Sequence, residues 1–355
     1  TVTEKDVQSQ NPRERRGSSL SDRSLAQLLE KLQPYQPQVI GLDLYRDFPI
    51  DPQQANLETY FQQNKRLIAV CEVGDADEYP GVRPPPGISA ERLGFSDFPV
   101  DPDGVIRRQL LGMAKDEKSF CQTDTSFSFR VAQLYLAAKG IQTRRTSKRD
   151  LQIGSTVLKK IQSHTGGYHR LNVDAQGFQV LLNYRSSDSV AKQVTLTDIL
   201  SNSLDAELPN LVKNRIVLIG TTARSFKDYF PTPDSTGQWP QKMPGVVIQA
   251  HMVSQILSAV LDQRPLLWWW PSWGESVWVW CWSLVGGALV WYFRTPLYLG
   301  LASGTAICTL CGACFFVLLQ GGWIPLIPSA IALVATGASV VIYATFSNQE
   351  QQEIS

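Results

Sequence analysis

Four carboxylates are placed so that they could share one ligand. Glu4, Asp6, Asp43 and Glu72 fall at or just beyond the ends of short apolar runs that read as strands. In an open α/β sheet, ligands bind in the crevice beyond the carboxyl ends of the strands. Acids gathered there could hold a cation or a polar ligand; the plainer reading is solvated or loop-capping acids. Other chemistry is scarce. The sequence has no Gly-x-Ser-x-Gly elbow and no Gly-Lys-Ser/Thr phosphate loop. Its histidines are His164, His169 and His251, and the spacing of the first two, in a Gly-rich turn, suits no common helical metal pair. Asp101-Pro102-Asp103-Gly104 reads as a turn, without the remaining acidic positions of a calcium loop. No catalytic residue, metal or cofactor is expected.

The elements that must position these residues can be read in order. Thr1-Val2-Thr3 reads as a strand. Ser21-Asp22 offers an N-cap, and Leu25, Leu28, Leu29 and Leu32 stripe one helix face closed by Pro34. The apolar run Val39–Leu44 fits a strand covered on both faces. A helix near Gln53–Asn64 and a strand Leu67–Cys71 follow. This alternation predicts a layered α/β domain with a mainly parallel central sheet. Residues 74–99, rich in Pro and Gly, read as an irregular excursion. A mixed strand (Val105–Met113), a helix (Ser126–Ala138) and short antiparallel strands over 151–184 come next. A buried strand Arg215–Gly220 and an apolar-striped helix Val246–Val260 complete the domain.

Charge divides the chain in two. Residues 1–264 carry 32 of the 33 basic and 29 of the 32 acidic residues, a net charge of about +3 that gives no reason to expect nucleic acid. A mean hydropathy of -0.12 averages this half with a very different one. Between Pro265 and Phe346 the only formal charges are Glu275 and Arg294, and Thr295–Phe346 has none. One helix of that last length would reach roughly 78 Å, against a hydrocarbon core of about 30 Å, so it must turn back, at Gln320-Gly321-Gly322. Three transmembrane helices are therefore expected, at about 276–293, 297–319 and 323–346. They follow a polar domain over 1–264 and precede a polar tail over 347–355. The chain lacks an initiator Met and opens inside a strand, so an upstream segment is expected. Cys281, Cys308, Cys311 and Cys314 read as small packing residues of the spans. Cys71 and Cys121, the pair in the polar domain, are either a disulfide or two buried thiols.

Several stretches resemble the second class of the CHASE family, sensory domains associated with cyclases and histidine kinases. They are Leu25–Asp43 (LAQLLEKLQPYQPQVIGLD), Phe98–Arg108 (FPVDPDGVIRR), Arg215–Ala223 (RIVLIGTTA), Asp228–Pro233 (DYFPTP) and Met243–His251 (MPGVVIQAH). Through these motifs the resemblance adds Arg107, Thr221, Asp228 and His251 to Glu4, Asp6 and Asp43 as ligand-binding candidates. In the last motif the family pattern carries His where this chain has Gln249, and Asn where it has His251. The resemblance implies an extracytoplasmic sensor of a small-molecule or physical signal. It would be a multi-pass protein of a bacterial inner membrane, with its large domain outside and a cytoplasmic or fused signalling effector. Trp268, Trp269, Trp270, Trp273 and Trp323 would form an outer aromatic belt, and Trp291, Tyr292 and Tyr343 an inner one. Gly300-x-x-x-Gly304 permits close helix packing and a homodimer. The competing readings are a membrane-anchored metal-dependent hydrolase and a structural subunit of a membrane assembly.

Overall fold

The computed structural model describes all residues except 75–77, 148–149, 164, 169–172, 186–189, 236–240 and 355, and the side chains of 347–354. His164 and His169 therefore lie outside the described residues. The chain forms two compact units, one of Thr1–Ile161 with Asp174–Arg264 and one of Gln162–Val173 with Pro265–Ser355.

The first unit begins differently from the sequence expectation. Only Val2 pairs as a strand, in parallel with Thr221, and helix α1 (Glu4–Gln8) follows at once. Thr3 explains the switch. Its hydroxyl accepts from Asp6 N–H at 3.3 Å, while the Asp6 carboxylate accepts from Thr3 N–H at 2.8 Å. This reciprocal capping box starts a helix where an acidic strand end was expected.

Next come helices α2 (Pro12–Arg15) and α3 (Asp22–Leu32), strand β1 (Val39–Asp43), helix α4 (Ala55–Gln63) and strands β2 (Leu67–Cys71), β3 (Leu93–Phe95) and β4 (Arg108–Gly112). Helix α5 (Phe127–Ala137) precedes β5 (Thr143–Arg145), β6 (Leu151–Ile153), β7 (Thr156–Leu158) and β8 (Phe178–Leu181). Helices α6 (Leu196–Leu200) and α7 (Leu208–Val212), strand β9 (Ile216–Gly220), the pair β10 (Tyr229–Phe230) and β11 (Met243–Pro244), and helix α8 (Gly245–Leu261) complete this unit.

The central sheet has the order β3-β2-β1-β9, and every pair in it is parallel. Alternation along its strands builds a three-layer core. Ile40, Leu42 and Ile219 pack with Leu25, Leu29, Leu57 and Phe61 of α3 and α4. Val39, Ile68 and Val70 pack with Phe127, Val131 and Val253 of α5 and α8. From β1 the chain moves outward to β2 and β3, then returns to place β9 on the other side of β1. That reversal opens a crevice at the carboxyl ends, where Asp43 pairs with Gly220. Beside this sheet, β4 pairs with β8, and β5, β6 and β7 form a small antiparallel meander. Cys71 and Cys121 are joined by a disulfide.

Helix α8 is not continuous with the helices of the apolar block. It stops at Leu261, and Gln263 adopts a left-handed backbone at φ 54°. Arg264 then donates to Asn183 Oδ1 and the Tyr184 carbonyl, each at 3.0 Å.

The second unit contains α9 (Ser272–Tyr292), α10 (Pro296–Leu319) and α11 (Leu326–Ile354). Strand β12 (Trp268–Trp269) pairs with β13 (Gly322–Trp323), which gathers Trp268, Trp269 and Trp323. Among the described residues two helices, not the expected three, are long and apolar enough to cross a membrane: Pro296–Leu319 and Leu326–Phe346, each with hydropathy 2.0. Helix α9 falls short by composition. Its apolar surface comes largely from Trp273, Trp278, Trp280, Trp282 and Trp291, which favour an interface over hydrocarbon, and it also carries Glu275, Ser276 and Ser283. It packs closely on α11: a Cβ at Gly286 would lie 2.1 Å from the Leu333 carbonyl oxygen, and Ser283 and Thr336 hydroxyls meet at 2.7 Å.

One buried ion pair fixes the loop that leaves β1. The Arg46 guanidinium contacts the Asp22 carboxylate and donates to the Leu20 carbonyl at 2.8 Å. Removing one partner strands the other charge in the interior, a loss of about 3–5 kcal/mol. Urea unfolding of Arg46→Met should show a loss of that order. Adding Asp22→Leu should restore part of it; a double variant no more stable than the single one would rule out the ion pair as the cause.

Candidate ligand-binding cleft

At the crevice where the strand order reverses lies a cleft of about 710 Å³. Each strand of the sheet delivers a polar residue to that edge. Asp43 ends β1, Glu72 follows β2, Asp97 stands two residues past β3, and Thr221 follows β9. The pairing of Tyr229 with Pro244 brings Asp228, just before β10, beside Gly245, the first residue of α8. A Cβ at Gly245 would lie 2.6 Å from both Asp228 carboxylate oxygens, so only glycine lets this acid sit on the helix N-terminus. Gly220 has a similar role: a Cβ there would meet Val246 Cβ at 2.5 Å. Small residues on both elements thus let α8 close one side of the cleft. One turn further on, Gln249 lines it; its amide nitrogen donates to the Ser96 carbonyl at 3.3 Å. Phe98 and Phe230 meet edge to face at 5.3 Å, and Tyr45 and Phe48 add further aromatic lining.

The electrostatics are lopsided. Asp43, Glu72, Asp97 and Asp228 all hold their protons more tightly than ordinary carboxyls. Burial is the main cause in each case. For Asp43 the Asp228 charge adds to it, and the carboxyl is pushed up to about 8. Asp97 raises Glu72 further, against hydrogen bonds from Tyr79 and Tyr45. Backbone N–H groups of Val73 and Gly74 partly offset the burial of Asp97, and that of Gly245 the burial of Asp228. Among the described residues none of these four carboxylates is in an ion pair. Among them, too, no three His, Cys, Asp or Glu side chains are grouped to hold a metal ion.

The structure brings Asp43, Thr221 and Asp228 of the candidate residues into this cleft, with Glu72 beside them. It places the other four elsewhere. Glu4 lies outside the cleft lining and accepts from Ser225 N–H at 3.2 Å. Asp6 is buried; burial opposes its charge, but hydrogen bonds from Thr197 and Thr3 outweigh that and lower its pKa. It ties α1 to α6 and does not line the cleft. Arg107 clamps the turn at 101–104, bound to Asp101 at 3.0 Å and to Asp103 at 2.7 Å. His251 is buried against the Tyr184 ring, with Nδ1 accepting from Arg185 N–H at 3.3 Å; burial pushes its pKa down to about 4. Asp97, Tyr45, Phe98, Phe230 and Gln249 line the cleft without having been named as candidates, although Phe98, Phe230 and Gln249 stand in the motifs that carry the family resemblance. The available signal was positional: Asp97 follows its strand as Glu72 follows β2, but β3 is only three residues long.

The family model of the CHASE2 domain matches residues 1–288, a stretch that holds the whole cleft and runs into α9. No curated protein and no solved structure matches the chain.

The burial of Asp43 has a consequence for stability. Its folded pKa, about 8, lies above the ordinary 3.8, so the folded state binds this proton more tightly than the unfolded chain. The resulting stabilisation is complete below about pH 3.8 and is lost as pH rises through 8. Asp43→Asn should therefore stabilise the protein at pH 7.5 relative to wild type, by at least about 1 kcal/mol or roughly 2–4 °C, and leave it unchanged near pH 4. Thermal melts at the two pH values check this; a variant less stable at pH 7.5 would contradict it.

Proposed function

Because the chain belongs to the CHASE2 domain family, a family of extracellular sensory domains, we propose that the cleft is where the signal is received and that α8 carries it toward the membrane. The observation behind this reading is the double role of α8. Gly245 and Gln249 line the cleft at its first turns, and its last residue precedes α9 by only the ten residues 262–271. A ligand that drew Asp228, Gln249 and Asp43 together would act directly on the helix N-terminus. Small displacements of packed helices are an established way of switching between discrete states.

The same reading makes this a multi-pass protein of a bacterial inner membrane, with α9 as a third span beside the two strongly apolar helices. The exposed apolar side chains of α9, among them Val277, Trp280, Leu284 and Trp291, support that assignment, as does its tight packing on α11. The polar domain then lies outside and the end of α11 in the cytoplasm, next to a fused or separate effector. A homodimer is supported by the open face of α10, where a Cβ at Gly300 or Gly304 would meet nothing within 4 Å. Catalysis belongs to the effector and not to these residues.

Two measurements test the reading. Alkaline phosphatase fused after residue 200 should be active and after residue 350 inactive; the reverse pattern refutes the orientation. Gly245→Ala drives a methyl group into the Asp228 carboxylate and so imitates a shift at the cleft. Hydrogen exchange on the full chain in nanodiscs should then change at residues 262–271 as well as at 243–249. A change confined to the cleft would end the case for transmission through α8.

A further inference from the structure

The cleft also carries information about what fills it, taking as given the reading that it is the ligand site. Its charged lining is mostly carboxylate. Asp43, Glu72, Asp97 and Asp228 converge on it from the ends of three strands and the start of β10, and Asp47 lines it too. Arg16 and Lys227 are the basic lining residues. Arg16 is already engaged, donating to the Pro49 carbonyl and lying 5.8 Å from the Phe48 ring, and Lys227 is exposed.

A second observation is independent of the acids. Gln249 is 2% exposed and lines the cleft, yet its Oε1 has no hydrogen-bond partner among the described residues. A buried amide oxygen left unpaired costs about 1–3 kcal/mol, so this atom calls for a donor from outside the chain. The buried hydroxyl of Ser19, also in the lining, is in the same position. The third feature is the aromatic lining of Tyr45, Phe48, Phe98 and Phe230, whose ring faces attract cations and whose bodies accept apolar groups. Its volume lies within the range of small-molecule pockets.

We propose that the cleft binds an organic ammonium ion, a primary or secondary amine carrying a compact apolar body. The ammonium group supplies the positive charge that the carboxylates lack and a donor for Gln249 Oε1, and the apolar body lies against the rings. An anion would meet the carboxylates at close range. A bare divalent cation would leave the rings unused, and the acids are not grouped to chelate it.

Binding is read by isothermal titration of the full chain in nanodiscs with three probes of one shape: 2-phenylethylamine, 2-phenylethanol and phenylacetate. The amine should bind at least about tenfold more tightly than either of the others. Its affinity should rise by about tenfold from pH 5.5 to pH 8.5, over which Asp43 loses its proton while the amine keeps its own. Asp43→Asn and Gln249→Leu should each weaken it by about tenfold. The first of these is expected to be the more stable protein at neutral pH, so a loss there is not a loss of folding. Equal or tighter binding of the alcohol or the carboxylate overturns the ammonium assignment; if Gln249→Leu also weakens that binding, the cleft remains the ligand site. Absence of binding by all three overturns it as well. Transmission through α8 is then judged separately, by the exchange response to Gly245→Ala.

Discussion

A charge taken out of water must be compensated, and the fully buried acids of the polar domain are, whereas the half-buried carboxylates at one edge of its sheet have no ion-pair partner among the described residues. Asp22 has Arg46, Asp101 has both Arg107 and Arg108, and Asp6 has the donors of Thr3 and Thr197. The carboxylates at the strand ends have only scattered N–H and hydroxyl donors, and two of them crowd each other across the junction of β1 and α8. Such an arrangement costs stability. It persists where the ordinary remedy, a neighbouring arginine, would fill the cleft. The pattern of pairing elsewhere makes the unpaired set informative.

Helix α8 is held by a related logic. A helix of its composition could be seated by apolar packing alone, yet it carries a row of buried polar side chains. Gln249 reaches the Ser96 carbonyl. Gln255 accepts from Asn183 N–H and donates to Gln109, and His251 accepts from Arg185 N–H. Oily contacts tolerate sliding in small steps, whereas each of these hydrogen bonds is satisfied over only a few tenths of an ångström. The helix is therefore registered against the domain. A displacement large enough to matter must break and remake bonds together, which favours two positions over a continuum.

The frame of the domain was legible in the sequence because β1, β2 and β9 are covered on both faces and so read as unbroken apolar runs. What hid the rest was local ambiguity. Thr3-x-x-Asp6 looks like an acidic strand end until the reciprocal hydrogen bonds of a capping box are seen, and that misplaced Glu4 and Asp6. The brevity of β3 concealed Asp97, since three residues carry no periodicity. Arg107 stands four positions from Asp103 in a turn, and only tertiary structure shows that both its partners are in hand. Position 251 belongs to a motif that does line the cleft, but the helical repeat turns 249 toward the opening and 251 toward Tyr184. In the apolar block, the tryptophans of α9 give it a lower hydropathy than α10 and α11, so composition alone marks only those two.

The disulfide between Cys71 and Cys121 closes a loop of sequence separation 50. Within that loop lie Glu72, Ser96, Asp97, Phe98 and Val100, a large part of one wall of the cleft. Constraining a loop of this size removes about 4 kcal/mol of chain entropy from the unfolded ensemble. Assembly of the wall is thereby linked to oxidation of two thiols. Until those two thiols are oxidised the chain holds this wall less firmly, so the final shape of the cleft depends on a redox step that follows synthesis.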